Sequence, residues 1–123
     1  MSFNTPILFL VFNRYNETVK VFQEIKKVKP KYLFLSADGP RLHKEGEKEV
    51  CDSIKFYILQ NIDWECSIET RFQAKNVGCK LAVSTAIQWF FKHVEEGIII
   101  EDDCLPNLSF FKFCEEMLKT YKH

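Results

Sequence analysis

Apolar and polar positions along this chain switch repeatedly between two periodicities, and the switches mark out its elements. Pro6 to Phe12 (PILFLVF) is a continuous apolar run, the pattern of a strand covered on both faces, and the polar pair Asn13-Arg14 ends it. Asn16 predicts a helix cap, with a helix over about Glu17 to Lys29 that carries Val21, Phe22, Ile25 and Val28 at helical spacing. Pro30 stops it. Tyr32 to Ser36 (YLFLS) is a second apolar strand, followed by Ala37-Asp38-Gly39-Pro40-Arg41, a loop rich in turn formers. A helix over roughly Lys44 to Gln60 places Val50, Ile54, Tyr57 and Ile58 on one side.

The third strand has a different pattern. From Cys66 to Phe72 the chain alternates, with Cys66, Ile68, Thr70 and Phe72 on one face and Ser67, Glu69 and Arg71 on the other. Such a strand is half exposed and belongs at a sheet edge. Asn76-Val77-Gly78 leads into a helix that reaches about His93, with Ala82, Ala86, Trp89 and Phe90 inward. Gly97 to Ile100 is a fourth strand. A last helix starts between Pro106 and Ser109, with Phe110, Phe113, Cys114, Met117 and Tyr121 as its apolar stripe.

Strands and helices in strict alternation predict right-handed crossovers and a three-layer α/β/α, Rossmann-like fold with a mainly parallel, doubly wound sheet. The edge character of the third strand predicts strand order 3-2-1-4, which puts the reversal between the first and fourth strands. Open α/β sheets bind ligands at such a point, outside the carboxyl ends of the strands. The crevice there is predicted to be walled by Asn13-Arg14 on one side and Glu101-Asp102-Asp103 on the other, with Asp38 next door.

Composition narrows the function classes. A chain of 123 residues reads as one domain, and twelve phenylalanines predict a core rich in rings. Seventeen basic residues balance seventeen acidic ones, so no electrostatic case exists for nucleic acid or an anionic membrane as main partner. No stretch is long and apolar enough to span a bilayer, and Met1-Ser2-Phe3-Asn4 opens without a basic and apolar leader, so a cytoplasmic location is expected. Five cysteines (Cys51, Cys66, Cys79, Cys104, Cys114), odd in number and without C-x-x-C spacing, read mostly as small buried hydrophobes in a reducing compartment. His43, His93 and His123 lack metal-like spacing and read as surface residues.

The acidic triplet Glu101-Asp102-Asp103 carries the strongest chemical signal, because it follows the dry strand Gly97-Ile98-Ile99-Ile100. Carboxylates clustered at a strand end repel one another unless a cation or hydrogen bonds compensate, so a hard divalent metal with phosphates is one reading. Acids favouring a helix N-terminus are the other. In the metal reading, Asp103 is the direct ligand, while Glu101 and Asp102 hold ribose hydroxyls or water. Asp38-Gly39 is either a plain turn or a carboxylate that accepts from a base or ribose, with Gly39 letting the backbone turn. Asn13-Arg14 is either a capping pair or, through Arg14, a diphosphate contact. The helix after Asn76-Val77-Gly78 has free N–H groups that can face an anion, and Lys75 and Lys80 are either solvated or add charge there. G-x-G-x-x-G and G-x-x-x-x-G-K-[ST] are both absent.

Taken in order, PILFLVFNR, LFLSADGPR, NVGCKLAVSTAI and GIIIEDDCLP resemble the nucleotide-binding half of GT-A glycosyltransferases, the nucleotide-diphospho-sugar transferase superfamily. The resemblance covers nearly the whole chain, residues 1–123. It implies that Glu101-Asp102-Asp103 is the family's DxD-type motif, binding Mn²⁺ or Mg²⁺ through Asp103. It implies that Asp38 lies against the base of a UDP- or GDP-linked sugar, with Phe12, Asn13 and Arg14 bordering base and ribose. Many relatives carry an arginine where this sequence has Leu81, a departure that leaves open whether Lys80 substitutes for it. Relatives are also considerably longer, and their second half supplies the acceptor site and, in inverting members, the catalytic base. The chain therefore reads as an apparently truncated donor-binding part, with self-association through open edges as an expected consequence. A non-catalytic nucleotide-sugar-binding module is the alternative. A nucleotidyltransferase ranks behind both, since Asn13-Arg14-Tyr15-Asn16 offers no glycine-rich basic loop.

Overall fold

The computed structural model of the chain describes residues 3–103 and 108–120. Four strands and four helices alternate: β1 (Ile7–Val11), α1 (Tyr15–Val28), β2 (Tyr32–Ala37), α2 (Glu47–Gln60), β3 (Ser67–Phe72), α3 (Cys79–His93), β4 (Ile98–Glu101) and α4 (Leu108–Thr120). All strand pairs are parallel, in the order β3-β2-β1-β4 expected from the sequence. The reversal falls between β1 and β4, which pair with Leu10 opposite Glu101.

Strand alternation divides the core into two layers. Ile7, Phe9 and Val11 of β1, Leu33, Leu35 and Ala37 of β2, and Ile98 and Ile100 of β4 meet Val21, Phe22, Ile25 and Val28 of α1, Ile54 and Ile58 of α2, and Phe111 of α4. On the other side, Leu8, Leu10 and Phe34 meet Ala86 and Phe90 of α3 alone. The Phe34 ring meets Phe90 edge-on at 5.0 Å and Trp89 at 5.4 Å, in the T-shaped geometry that ring quadrupoles favour. One face thus carries three helices and the other one. β3 lies at the edge as expected, but it is exposed on both faces rather than half exposed, since Ile68 and Phe72 are open as well.

Three element expectations are corrected. Helix α1 begins at Tyr15, so Asn16 lies inside its first turn; Arg14 is the N-cap residue and makes no side-chain capping bond. Helix α2 begins at Glu47, three residues after the expected Lys44, because Gly46 at φ 82° breaks the preceding turns from the helix. In α4 the buried face is Phe111, with Cys114 and Leu118 packed against the core, while Phe110, Phe113 and Met117 are exposed. The helix is apolar over two neighbouring stripes, and of the expected one only Cys114 faces the core; Tyr121 lies outside the described residues. Cys51 is buried, Cys66 and Cys114 are half-buried and Cys79 is exposed, while Cys104 lies outside the described residues. Among the described residues, no helix is long and apolar enough to cross a membrane.

Candidate functional site

Extending the strand alternation past the carboxyl ends gives the site. The α3 side of the sheet continues from Leu10 to Phe12 after β1, from Ser36 to Asp38 after β2, and to Glu101 at the end of β4. These residues line a cleft of about 280 Å³. Asn76, Gly78, Cys79, Ala82 and Val83 wall it from the start of α3, and Arg41 and Asp102 complete it. The cleft therefore lies where the topology predicts, beside the reversal in strand order.

Asp38 is buried, and both of its oxygens are occupied. Oδ1 accepts from the Gly39 N–H at 2.8 Å and the Val77 N–H at 2.9 Å. Oδ2 accepts from Asn76 Nδ2 at 3.1 Å and the Gly78 N–H at 3.2 Å. Asn76 Nδ2 also donates to the Gly39 carbonyl at 2.9 Å. The Val77 and Gly78 amides, just ahead of α3, thus face the chain's own carboxylate. Gly39 is required here by close approach: a Cβ would stand 2.5 Å from the Lys75 carbonyl carbon and 2.8 Å from the Gln73 oxygen. Gly78, at φ 93°, turns the chain into the helix in a conformation that L side chains rarely adopt. Loop and helix are clasped together across the top of β2.

A second polar knot sits beside the clasp. Glu47, buried at the start of α2, accepts from the Arg41 N–H at 2.7 Å and from Asn13 Nδ2 at 3.0 Å. The Arg41 side chain donates to it through Nε, 3.0 Å from Oε2, and through Nη2, 2.6 Å from Oε1. The Arg41 hydrogen bonds hold the Glu47 carboxyl down at about 2. The Arg41 guanidinium lies 5.7 Å from the Phe12 ring centroid, in cation–π range. Asn13 thus ties the end of β1 to α2, while Phe12 and Arg41 line the cleft.

The acidic triplet is unlike either knot. Glu101 is exposed at the end of β4 and lines the cleft. Asp102 is half-buried and lines it too, and burial pushes its carboxyl up to about 6. Arg14 opposes that rise, the neighbouring Asp103 charge adds to it, a Phe12 backbone hydrogen bond opposes it and Glu101 adds to it. Asp103 is exposed and is not part of the cleft lining. Arg14 is exposed at the head of α1 and reaches the site electrostatically. Lys80 is not part of the cleft lining; it borders a neighbouring depression with Val77, Leu81 and Ser84, which shares Gly78 and Cys79 with the cleft.

Of the residues singled out in the sequence, the fold brings Phe12, Asp38, Glu101 and Asp102 to one cleft. Asn13, Gly39 and Arg14 support or flank it, and Lys80 stands apart. Arg41, Glu47, Ser36 and Cys79 were not singled out. Ser36 was within reach of the alternation that carries Asp38, being two residues earlier on the same strand. Among the described residues, no three His, Cys, Asp or Glu side chains converge as a metal-ligand group. Mn²⁺ or Mg²⁺ needs only one or two carboxylate ligands beside water and phosphate oxygens, and Glu101, Asp102 and Asp103 offer three carboxylates at this strand end. Burial, ahead of the acidic neighbours, raises the Asp102 carboxyl, and Arg14 offsets the rise only in part. Comparison of the chain with protein-family models, curated proteins and solved structures finds no match.

Proposed function

We propose that this chain binds a nucleotide-diphosphate sugar, with UDP or GDP as the nucleotide, as the donor part of a metal-dependent GT-A glycosyltransferase that transfers sugar to an acceptor hydroxyl. One observation supports this best: a concave cleft at the strand-order reversal combines undercompensated carboxylates on one side with an aromatic–arginine wall on the other. A nucleoside diphosphate has matching parts, namely a flat base, a hydroxylated ribose and two phosphates that bring a divalent cation.

Each cleft residue has a task in this reading. Phe12 offers its ring face to the base or ribose. Glu101 and Asp102 accept from ribose hydroxyls or metal-bound water, and Asp103, next along the chain, supplies the direct metal ligand. Mn²⁺ or Mg²⁺, when bound, offsets the charge that builds on the departing nucleotide. Arg14 lends positive charge at the same mouth. Asp38 acts differently from a base-binding carboxylate: with four donors already on it, it fixes the wall of α3 against the sheet.

The test is thermal unfolding with UDP or GDP and Mn²⁺, singly and together. The expected result is a higher melting temperature only with both, lost in Asp103→Ala. At a ligand concentration a hundredfold above Kd, linkage gives about 2.7 kcal/mol of stabilisation. No shift with any nucleotide and metal would remove the proposal.

A further inference from the structure

We infer that Arg41 is the anion-binding residue of the cleft, presenting a fixed guanidinium edge to a phosphate or diphosphate group without the help of a metal ion. This deepens the donor reading, and rests on it only for what the phosphate is attached to.

A guanidinium has two edges that can each donate a pair of hydrogen bonds. Arg41 spends its Nε and Nη2 donors on Glu47, at 3.0 and 2.6 Å. Nη1 has no hydrogen-bond partner among the described residues, and Nη2 has a second N–H, so the Nη1–Nη2 edge remains as a two-donor fork. That fork has the spacing of two phosphate oxygens. Arg41 lines the cleft, and its side chain keeps 38 % of its exposure although one edge is locked.

Glu47 does more than neutralise it. The carboxylate is itself held by Asn13 and by the Arg41 backbone N–H, so it works as a rigid buttress that points the guanidinium. The Phe12 ring supports the flat face at 5.7 Å. A side chain ordered in advance loses little entropy when it binds. Asp38, another carboxylate in the cleft lining, is already saturated by the Asn76–Gly78 backbone and side-chain donors. Glu101 and Asp102, on the β4 side, suit a cation instead. One wall of the cleft thus presents the guanidinium edge left over from the Arg41–Glu47 ion pair and the other presents carboxylates, and a phosphate belongs on the first.

The experiment is calorimetric titration with inorganic pyrophosphate in metal-free buffer, on the full chain and on three variants. Wild type is expected to bind. Arg41→Gln is expected to lose about tenfold or more, the size of a lost charged hydrogen-bond pair, and Arg41→Lys to retain part of the affinity. Because Arg41→Gln strands a buried Glu47, the paired Arg41→Gln, Glu47→Gln variant keeps the contact neutral, and it is expected to fold and still fail to bind. No binding by wild type, or equal binding by wild type and the paired variant, overturns the inference. UDP with Mn²⁺ separates it from the donor reading. Equal UDP–Mn²⁺ binding by wild type and the paired variant overturns the role of Arg41 and leaves the donor reading standing. Arg41-dependent pyrophosphate binding without any UDP or GDP binding upholds the inference and removes the donor reading.

Discussion

Asp38 and Asp102 occupy corresponding places: each is the first residue past a parallel strand, β2 and β4 respectively, and each lines the same cleft. Their surroundings differ. Asp38 is met by a neighbouring loop whose amides and asparagine fill both of its oxygens. Asp102 is flanked by two like charges and partly buried, with Arg14 and the Phe12 backbone as partial compensation. The difference separates a carboxylate saturated by the fold from one that the fold compensates only in part. A position at a strand end makes an acid available, and the supply of donors around it decides its use.

The sharpest way to break the Asp38 side is Gly39→Ala. A methyl group there meets main-chain atoms of Lys75 and Gln73, which cannot swing aside as a side chain would. The expected cost is about 3 kcal/mol, at the upper end of overpacking effects, read as a lower denaturant midpoint at unchanged slope. A cost under about 0.5 kcal/mol would mean that the two loops do not meet as described.

Asp38→Ala should follow at about 2 kcal/mol, because it leaves the Val77 and Gly78 amides without their acceptor and leaves Asn76 only the Gly39 carbonyl. Hydrogen exchange gives a second reading: Val77 and Gly78 should exchange faster in the variant, while the amides of β1 keep their protection. Unchanged exchange at both positions would show that the clasp does not hold the start of α3.

Asp102→Asn should act in the opposite direction. The folded Asp102 carboxyl lies near 6 against an ordinary 3.8, so the folded protein holds this proton more tightly than the unfolded chain. Its contribution is most favourable below the ordinary value, and it declines as pH rises through the interval to about 6. Above that, the folded state bears the full cost of the charge. The asparagine variant should therefore be more stable than wild type at about pH 7.5, on the order of 1 kcal/mol given the partial exposure, with the gain fading toward about pH 4. A loss of stability at neutral pH would mean that Asp102 is compensated in the folded protein after all.

Most of the fold was legible because its signals are local. Five consecutive buried residues in β1 leave no polar face to confuse with an amphipathic element, and the alternation of Cys66 to Phe72 set the edge strand and with it the strand order. The misplaced starts of α1 and α2 come from competition between nearby polar residues. Asn16 is the better cap by type, but the chain turns at Arg14, and the left-handed Gly46 resets the start of α2. Which stripe of α4 is buried depended on the packing of Phe111 against Phe3, 5.7 Å away across the fold.

The site was legible by address and less so by role. Strand alternation carried Phe12, Asp38 and Glu101 to one cleft, but Asp38 is satisfied by Asn76, 38 residues further on, and no local spacing reports such a bond. Arg41 was in view within Asp38-Gly39-Pro40-Arg41, yet its purpose depends on Glu47, beyond a loop whose path the sequence did not specify. Lys80 failed to reach the cleft for a geometric reason: a residue early in a helix can face either way, and here it borders the neighbouring depression with Leu81 and Ser84.

The most direct measurement of the central claim is an amide NMR spectrum during a titration with trace Mn²⁺, with and without UDP or GDP. Paramagnetic broadening falls steeply with distance and therefore locates the ion. The account predicts nucleotide-dependent broadening centred on Glu101, Asp102 and Asp103 and extending to Phe12 and Arg14, with the distant β3 amides unaffected. Broadening spread over surface carboxylates such as Glu24, Asp52 and Glu95, or identical with and without nucleotide, would contradict it.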